Sequence, residues 1–244
     1  MIQVLHKTCL CIILLFILIA NAEAQTSIQV QYVKYNLGTN DTATLHGKGS
    51  ESLFYIRRSL SGRTEVQKTS KGSIIKDKEG FSFYINTAEK KLVTREIVFR
   101  DAFLMENEPL EKPDWKISTE QKNIKGYLCT KATAFFRGRN FEVWYTTRIP
   151  VSYGPWLLWG LPGLIIEARS QDGDLSFEYL KHSIPDKSGV ALVAPSSGQK
   201  MSRKDFLKKR EELSKKAVEV LSSGLKEQGL KVEASQMKRK EVFD

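Results

Sequence analysis

Cysteine and histidine are scarce in this chain, which has three of each among its 244 residues. Cys9 and Cys11 lie in an apolar segment at the N-terminus, so the rest of the chain keeps only Cys129 and no internal disulfide can form there. We interpret Cys129 as a small buried hydrophobic residue, with a reactive or intermolecular thiol as the alternative. His46 and His182 have no second ligand at metal-binding spacing. We therefore predict no metal site and no cofactor.

Local catalytic motifs are also missing. The sequence has no Gly-x-Ser-x-Gly, no His-Glu-x-x-His and no glycine-rich phosphate loop. Asp172 and Asp174 flank a glycine, which is typical of a hairpin turn rather than of an acid–base pair. No nucleophile stands beside a base, so we predict no catalytic residues and favour a non-enzymatic function. The alternatives are a peptide or glycan hydrolase whose site is not local in sequence, and a metal-handling protein.

The N-terminus has the pattern of a signal peptide over residues 1–24. Lys7 supplies the positive charge, Cys9–Ala20 the apolar run, and Ala22–Ala24 the small-x-small cleavage pattern. The apolar run is shorter than the roughly 20 residues that a membrane-spanning helix needs. We predict an exported protein that is cleaved after Ala24 and lies in the periplasm or against the outer membrane, without being integral to a membrane.

The formal net charge is +10, and much of the excess lies towards the C-terminus. In an exported chain this charge forms either a solvated surface or a contact with an acidic membrane surface, polysaccharide or peptide. No nucleic-acid-binding motif accompanies it, so we predict no nucleic acid partner.

Alternating apolar and polar residues dominate residues 26–182 and indicate strands. Short polar turns separate these strands, and Gln171–Asp174 is a clear hairpin turn. The pattern predicts a mainly β fold, either one curved antiparallel sheet or an open half-barrel. We expect a single domain over residues 25–230, with mobile loops at 61–80 and 105–122. The predicted strands cover residues 28–33, 53–56, 81–85, 91–100, 115–117, 124–136, 140–147, 164–169 and 175–182.

The pattern changes to helical spacing near Ser202. Apolar residues such as Phe206, Leu213 and Ala217 recur on one face, and lysine and glutamate occupy the other. We predict an amphipathic helix over residues 202–228, followed by a polar tail over 231–244. The helix packs on the sheet or, alternatively, contacts a membrane surface or a partner.

The most distinctive stretch is Gly160–Ile165, which directly follows the aromatic run Gly154–Trp159. Proline followed by glycine is typical of a tight turn, so we predict a positive φ at Gly163. The turn would fix one rigid corner between two strands and gather three tryptophans there: Trp144, Trp156 and Trp159.

Two interpretations of this corner remain open. The aromatic residues either close one end of the sheet or line a pocket or sheet edge for an apolar or peptide ligand. In the second case we expect anion contacts from Arg137, Arg139 and Arg148.

The block from Ile124 to Ile165 resembles the exported GLPGLI family of Bacteroidota. The resemblance implies a place in the cell envelope and an accessory role in TonB-dependent outer-membrane uptake, with an outer-membrane receptor or another envelope component as partner. It implies no particular reaction. The residues that carry the signature include Gly126, Tyr127, Cys129, Gly154, Pro155, Gly160, Leu161, Pro162, Gly163, Leu164 and Ile165.

Overall fold

The structure is a computed structural model that describes residues 27–36, 39–56, 68–69, 72–73, 80–98 and 101–227. The predicted signal peptide, the polar tail and most of the predicted loop at 61–80 lie outside these residues.

Fourteen strands and one helix make up the described fold. In chain order they are β1 (Ser27–Asn36), β2 (Thr39–Lys48), β3 (Glu51–Ile56), β4 (Lys68–Thr69), β5 (Gly72–Ser73), β6 (Phe81–Asn86), β7 (Lys91–Val98), β8 (Asp101–Pro109), β9 (Lys116–Ile124), β10 (Tyr127–Phe136), β11 (Arg139–Thr146), β12 (Leu164–Ser170), β13 (Ser176–Ser183), β14 (Gln199–Lys200) and α1 (Arg203–Glu227).

Twelve of the strands form one open sheet, in the order β14-β8-β7-β6-β3-β2-β1-β13-β12-β11-β10-β9. Neighbouring strands are antiparallel, except that the short β14 runs parallel to β8. The predicted mainly β class is therefore confirmed. The first strand lies inside the sheet, because β1 pairs with β2 on one side and with β13 on the other.

Contacts between distant strands show how far the sheet curls. β8 is second from one edge of the sheet and β10 is second from the other. Even so, Arg137 in the β10–β11 turn places Nη2 3.0 Å from Oε2 of Glu108 on β8. Nearer the middle of the sheet, Tyr32 on β1 reaches past the neighbouring β13 and donates a hydrogen bond from its hydroxyl to the carbonyl of Ile165 on β12 at 2.8 Å. We call the face of the sheet that carries Val30 and Phe54 the inner face. Together with other buried apolar residues, these side chains form the main core.

The opposite, outer face is covered in part by the segment from residue 184 to 198, which we call the outer segment. Its apolar side chains pack on a second cluster formed by strands β3, β6, β7 and β8. Phe206 of α1 packs on the other side of β8, against Phe103 and Met105, whose side chains point away from that of Leu104. Among the described residues, no helix combines the length and the apolar character needed to cross a membrane.

Several strands differ from the sequence expectations. β2 and β8 have no counterpart among the predicted strands, and the predicted strand at 115–117 covers only the start of β9. The predicted loop at 105–122 holds the end of β8 and most of β9. The predicted strand over 124–136 is interrupted by a turn at Lys125 and Gly126, whose φ values are +50° and +86°. β9 is a polar sheet edge with most side chains exposed, so it lacks the apolar alternation of a half-buried strand.

The predicted positive φ at Gly163 is wrong. The left-handed residues in this region are Trp156, at +57°, and Gly160, at +91°. Gly163 is needed for a different reason, because a Cβ atom there would lie 2.1 Å from the carbonyl oxygen of Thr146. The absent side chain lets the end of β11 and the start of β12 approach each other.

The same substitution at two glycines tests whether Gly163 is needed for a left-handed backbone or for a close backbone contact. Asparagine tolerates a left-handed backbone, so Gly173→Asn in the open β12–β13 turn should cost under about 1 kcal/mol of unfolding free energy. Gly163→Asn should cost about 3 kcal/mol, because its added atoms overlap a backbone carbonyl. Urea denaturation measures both values, and equal costs would contradict the close-contact explanation.

Candidate ligand-binding site

The loop over residues 147–163, here called the corner loop, joins β11 to β12 and is folded back on itself. The carbonyl of Ile149 accepts hydrogen bonds from the amides of Val151, at 2.8 Å, and Leu164, at 3.0 Å. The amide of Gly160 donates to the carbonyl of Ser152 at 2.9 Å. These bonds satisfy backbone groups inside the loop and fix its shape.

The middle of the corner loop belongs to the core. Trp156, Leu157 and Leu158 are buried, and the Trp156 ring lies 5.9 Å from that of Phe136 and 5.8 Å from that of Phe141 between ring centres. Gly154 makes this packing possible, since a Cβ atom there would lie 2.2 Å from the Leu158 carbonyl oxygen. Trp156 therefore stabilises the sheet and does not face a ligand.

Tyr153 connects the corner loop to the β2–β3 hairpin. Its ring covers Gly47, where a Cβ atom would lie 2.4 Å from Cε2 of the ring. Its hydroxyl donates a hydrogen bond to the carbonyl of Gly49. Burial, assisted by the negative charge of Glu51, raises the pKa of Tyr153 to about 12, so the phenol stays protonated at neutral pH.

Two tryptophans join the corner loop to residues 110–115, the crossover connection between β8 and β9. Trp159 donates from Nε1 to the carbonyl of Glu111 at 3.1 Å. Trp115 donates from Nε1 to the carbonyl of Trp159 at 2.9 Å. Between these two bonds the side chain of Lys112 lies against Gly160, where a Cβ atom would meet Lys112 Cε at 2.4 Å.

These contacts border a cavity of about 720 Å³ that is open to solvent at one end of the sheet. This volume lies within the usual range for small-molecule sites. Ser52 of β3 and Ile85 of β6 face each other across the ladder and form part of the wall. The lining as a whole consists of Gly49, Ser52, Ile85, Thr87, Lys112, Ile149, Pro150, Val151, Ser152, Tyr153, Trp159, Gly160 and Ile184.

The structure separates the three tryptophans that the sequence analysis placed at one corner. Trp159 lines the cavity and Trp156 lies in the core. Trp144 sits on β11, where Lys122 Nζ lies 4.3 Å from its ring centre and its own Nε1 donates to Glu142 at 3.2 Å. Charged side chains therefore surround Trp144 away from the cavity.

The three arginines expected to bind anions are also outside the cavity lining. Arg137 pairs with Glu108, and the buried Arg139 pairs with Asp172 and, at 3.5 Å, with Asp174. Arg148 is exposed at the start of the corner loop. The cavity instead takes its positive charge from Lys112, whose position in a loop between two strands gave no sequence signal.

Neither Cys129 nor His182 forms a reactive centre. Cys129 is fully buried in the core, and its pKa is raised to about 11 by burial and by the charge of Glu167, so the group is a thiol at neutral pH. His182 is half-buried with Nδ1 2.6 Å from the hydroxyl of Tyr179. Among the described residues, no cluster of three His, Cys, Asp or Glu side chains could hold a metal ion.

His46 has a carboxylate partner but no access to solvent. Its Nδ1 lies 2.6 Å from Oδ2 of Asp186, its Nε2 lies 3.3 Å from the hydroxyl of Tyr55, and only 1% of the side chain is exposed. Asp186 also accepts a hydrogen bond from the amide of Ser188 at 2.8 Å. The cluster fastens the start of the outer segment to β2, which is a structural role.

Comparisons with known proteins agree with the fold and leave the function open. The model of a family described as "Protein of unknown function (Porph_ging)" matches residues 137–167, from the β10–β11 turn into β12. No curated protein matches the chain.

Among solved structures, PNGF-II in the C2 space group superimposes with a TM-score of 0.53 at 16% identity, over 78% of this chain and 33% of that one. The chain thus spans about a third of PNGF-II. An uncharacterised conserved protein from Thermus thermophilus gives a TM-score of 0.42 at 10% identity, covering 74% and 91% of the two chains. The MucA/MucB complex of Pseudomonas aeruginosa gives 0.35 at 12% identity, covering 73% and 56%. The PNGF-II likeness shows a similar fold alone.

The Asp186 carboxylate should make the outer segment sensitive to acid. Burial opposes ionisation, but the hydrogen bonds from His46 and Ser188 outweigh it and lower the pKa of Asp186. A lowered pKa stabilises the folded state above the ordinary Asp pKa of about 3.9, and this stability is lost as the pH falls through the lowered value. We expect Asp186→Asn to lower the urea midpoint at pH 7.

The difference between this variant and the parent protein should then shrink towards about pH 3. The exposed Asp114 provides the matched control, because Asp114→Asn should leave the midpoint unchanged at both pH values. A difference that stays constant with pH would contradict the role given to the carboxylate.

The indole hydrogen bonds should restrain the crossover connection. Trp159→Phe keeps a ring in place and removes the donor to Glu111, at a cost of about 1 kcal/mol. Amide hydrogen exchange over residues 110–116 should become about fivefold faster, since local opening depends on that free energy. Trp144→Phe removes a donor far from this connection and should leave its exchange unchanged; equal effects of the two variants would contradict the assignment.

Proposed function

We propose that this chain is an exported envelope protein of the GLPGLI family that binds a small ligand and catalyses no reaction. The observation that carries this proposal is the cavity of about 720 Å³ at one end of the sheet, to whose wall the signature corner loop gives seven of thirteen residues. Cavities of this size with apolar walls and a few polar groups are the usual form of ligand sites.

The signature residues support the proposal because their structural roles converge on the cavity wall. Gly154 allows the core packing of the loop, Gly160 accommodates Lys112, and Gly163 allows the return into β12. Leu161, Leu164 and Ile165 are buried in the main core, which anchors the loop from below. A family that shares these residues would share the shape of the wall.

The half-barrel belongs to the same proposal. The two edge strands of the described sheet lie far apart in strand order, and the pair between Arg137 and Glu108 supports a sheet that curls on itself. A curled open sheet leaves its end free for a ligand. We include α1 in this architecture as the helix that packs beside β8 through Phe206.

The cellular setting of the proposal comes from the sequence. The predicted signal peptide over residues 1–24 and the GLPGLI resemblance support a periplasmic or outer-membrane-associated protein that assists TonB-dependent uptake. Its partner would be an outer-membrane receptor or another envelope component.

The hydrolase alternative gains no support from the described geometry. His46 is inaccessible, and Cys129 is a buried thiol. An acyl-transfer site would need an accessible nucleophile within hydrogen-bond reach of a base.

Filling the cavity tests the proposal. Ser152 is exposed on the cavity lining, so Ser152→Trp should occlude the cavity with little effect on folding. A neutral naphthylamine dye whose fluorescence rises in apolar surroundings should bind the parent protein and bind this variant about tenfold more weakly, a loss of about 1.4 kcal/mol.

Ser196→Trp adds the same ring to an exposed part of the outer segment and should leave dye binding unchanged. Thermal melting shows whether either variant has lost its fold. An absence of dye binding to the parent protein, or equal binding by both variants, would overturn the assignment of the cavity.

A further inference from the structure

The cavity lining holds a single charged side chain among the described residues. Lys112 contributes an ammonium group, and no carboxylate of the described chain lines the cavity with it. The remaining lining is apolar or uncharged and includes the hydroxyl of Ser152, whereas the hydroxyl of Thr87 already donates to the carbonyl of Ser50 at 3.2 Å. The lining itself therefore carries one positive charge, while the negative charge of Glu51 acts on Tyr153 from outside the lining.

Lys112 itself makes one packing contact, and two hydrogen bonds hold the connection on either side of it. The carbonyl of Glu111, the preceding residue, accepts the hydrogen bond of Trp159, and Trp115 donates back to the corner loop. The aliphatic stem of Lys112 also lies against Gly160, where a side chain would displace it. Such restraint lowers the conformational entropy that a flexible lysine loses when it binds a ligand.

The described structure offers this ammonium no intramolecular ion pair. The carboxylate of Glu108 is paired with Arg137, and those of Asp172 and Asp174 are paired with Arg139. Within the described residues, no salt bridge involves Lys112. An anionic ligand can therefore pair with the Lys112 ammonium without breaking an existing ion pair.

Building on the proposed ligand-binding function, we propose that the cavity takes an amphiphile with an apolar chain or ring and one anionic head, and that Lys112 binds the head. Ile85, Ile149 and Trp159 would cover the apolar part, which favours burial in proportion to its area. The ammonium supplies the charge-assisted hydrogen bond to the head. A cationic ligand would be repelled at the same point, and a neutral one would leave the ammonium unused.

A pair of probes with the same chain length tests this inference. Decanoate and decanol each compete with the naphthylamine dye for the purified protein, and the parent protein should bind decanoate about tenfold more tightly. Lys112→Gln should remove that preference by weakening decanoate binding about tenfold while leaving decanol binding unchanged. Raising the salt concentration should reduce the decanoate preference in the same direction.

Lys116→Gln is the matched control. Lys116 is an exposed lysine at the start of β9 and lies outside the cavity lining, so its loss should leave the decanoate preference intact. Equal binding of the two probes by the parent protein, or equal losses in the two lysine variants, would overturn the anionic-head inference while leaving a ligand-binding cavity. Failure of both probes to displace the dye, or of the dye to bind, would overturn the proposed function and the inference with it.

Discussion

The close contact between Gly163 and the carbonyl of Thr146 is the constraint on which the rest of the site depends. It allows β11 and β12 to pair at Thr146 and Leu164, directly beneath the corner loop that separates them in sequence. With its two ends fixed in this way, the loop must project from the sheet as a compact unit. Its aromatic residues then meet three different surfaces: Tyr153 the β2–β3 hairpin, Trp156 the core, and Trp159 the crossover connection. The cavity is the space left between those surfaces.

The shape of this cavity and its one charged side chain are determined by different parts of the chain. Seven of the thirteen lining residues lie within the stretch 137–167 that the family model matches, whereas Lys112 comes from a connection outside that stretch. A substitution in the connection could change the polarity of the cavity without changing its wall. A substitution in the wall can, however, also move the charge. Gly160 lines the cavity and makes room for the aliphatic stem of Lys112, so a side chain there would displace the lysine.

The sequence predicted those parts of the fold that are determined locally. The hairpin turn at Gln171–Asp174 and strands such as β6 and β12 follow from turn chemistry and alternating apolar residues. Only the start of β9 was predicted, by the strand at 115–117, because most of its residues are exposed and its order comes from pairing with β10 rather than from apolar alternation. The site was predicted in part: Trp159 lines the cavity, but Lys112 reaches it only through contacts between segments some 48 residues apart in sequence. Arg137 and Arg139 were expected at the cavity because they are positively charged. The sequence does not reveal that both form ion pairs outside the cavity, Arg137 with Glu108 and Arg139 with Asp172.

The position of β1 within the sheet has a consequence for how the chain folds. β1 can pair with β2 as soon as that hairpin exists, but its other edge pairs with β13, whose partner residues reach Ser183. The two halves of the sheet can therefore join only after nearly the whole described chain is present. Until β13 is in place, one edge of β1 presents unpaired amides and carbonyls that another extended polypeptide can pair with, so this strand is a site for aggregation of the nascent protein. Such long-range closure is slow, which prolongs the time that the edge stays unpaired.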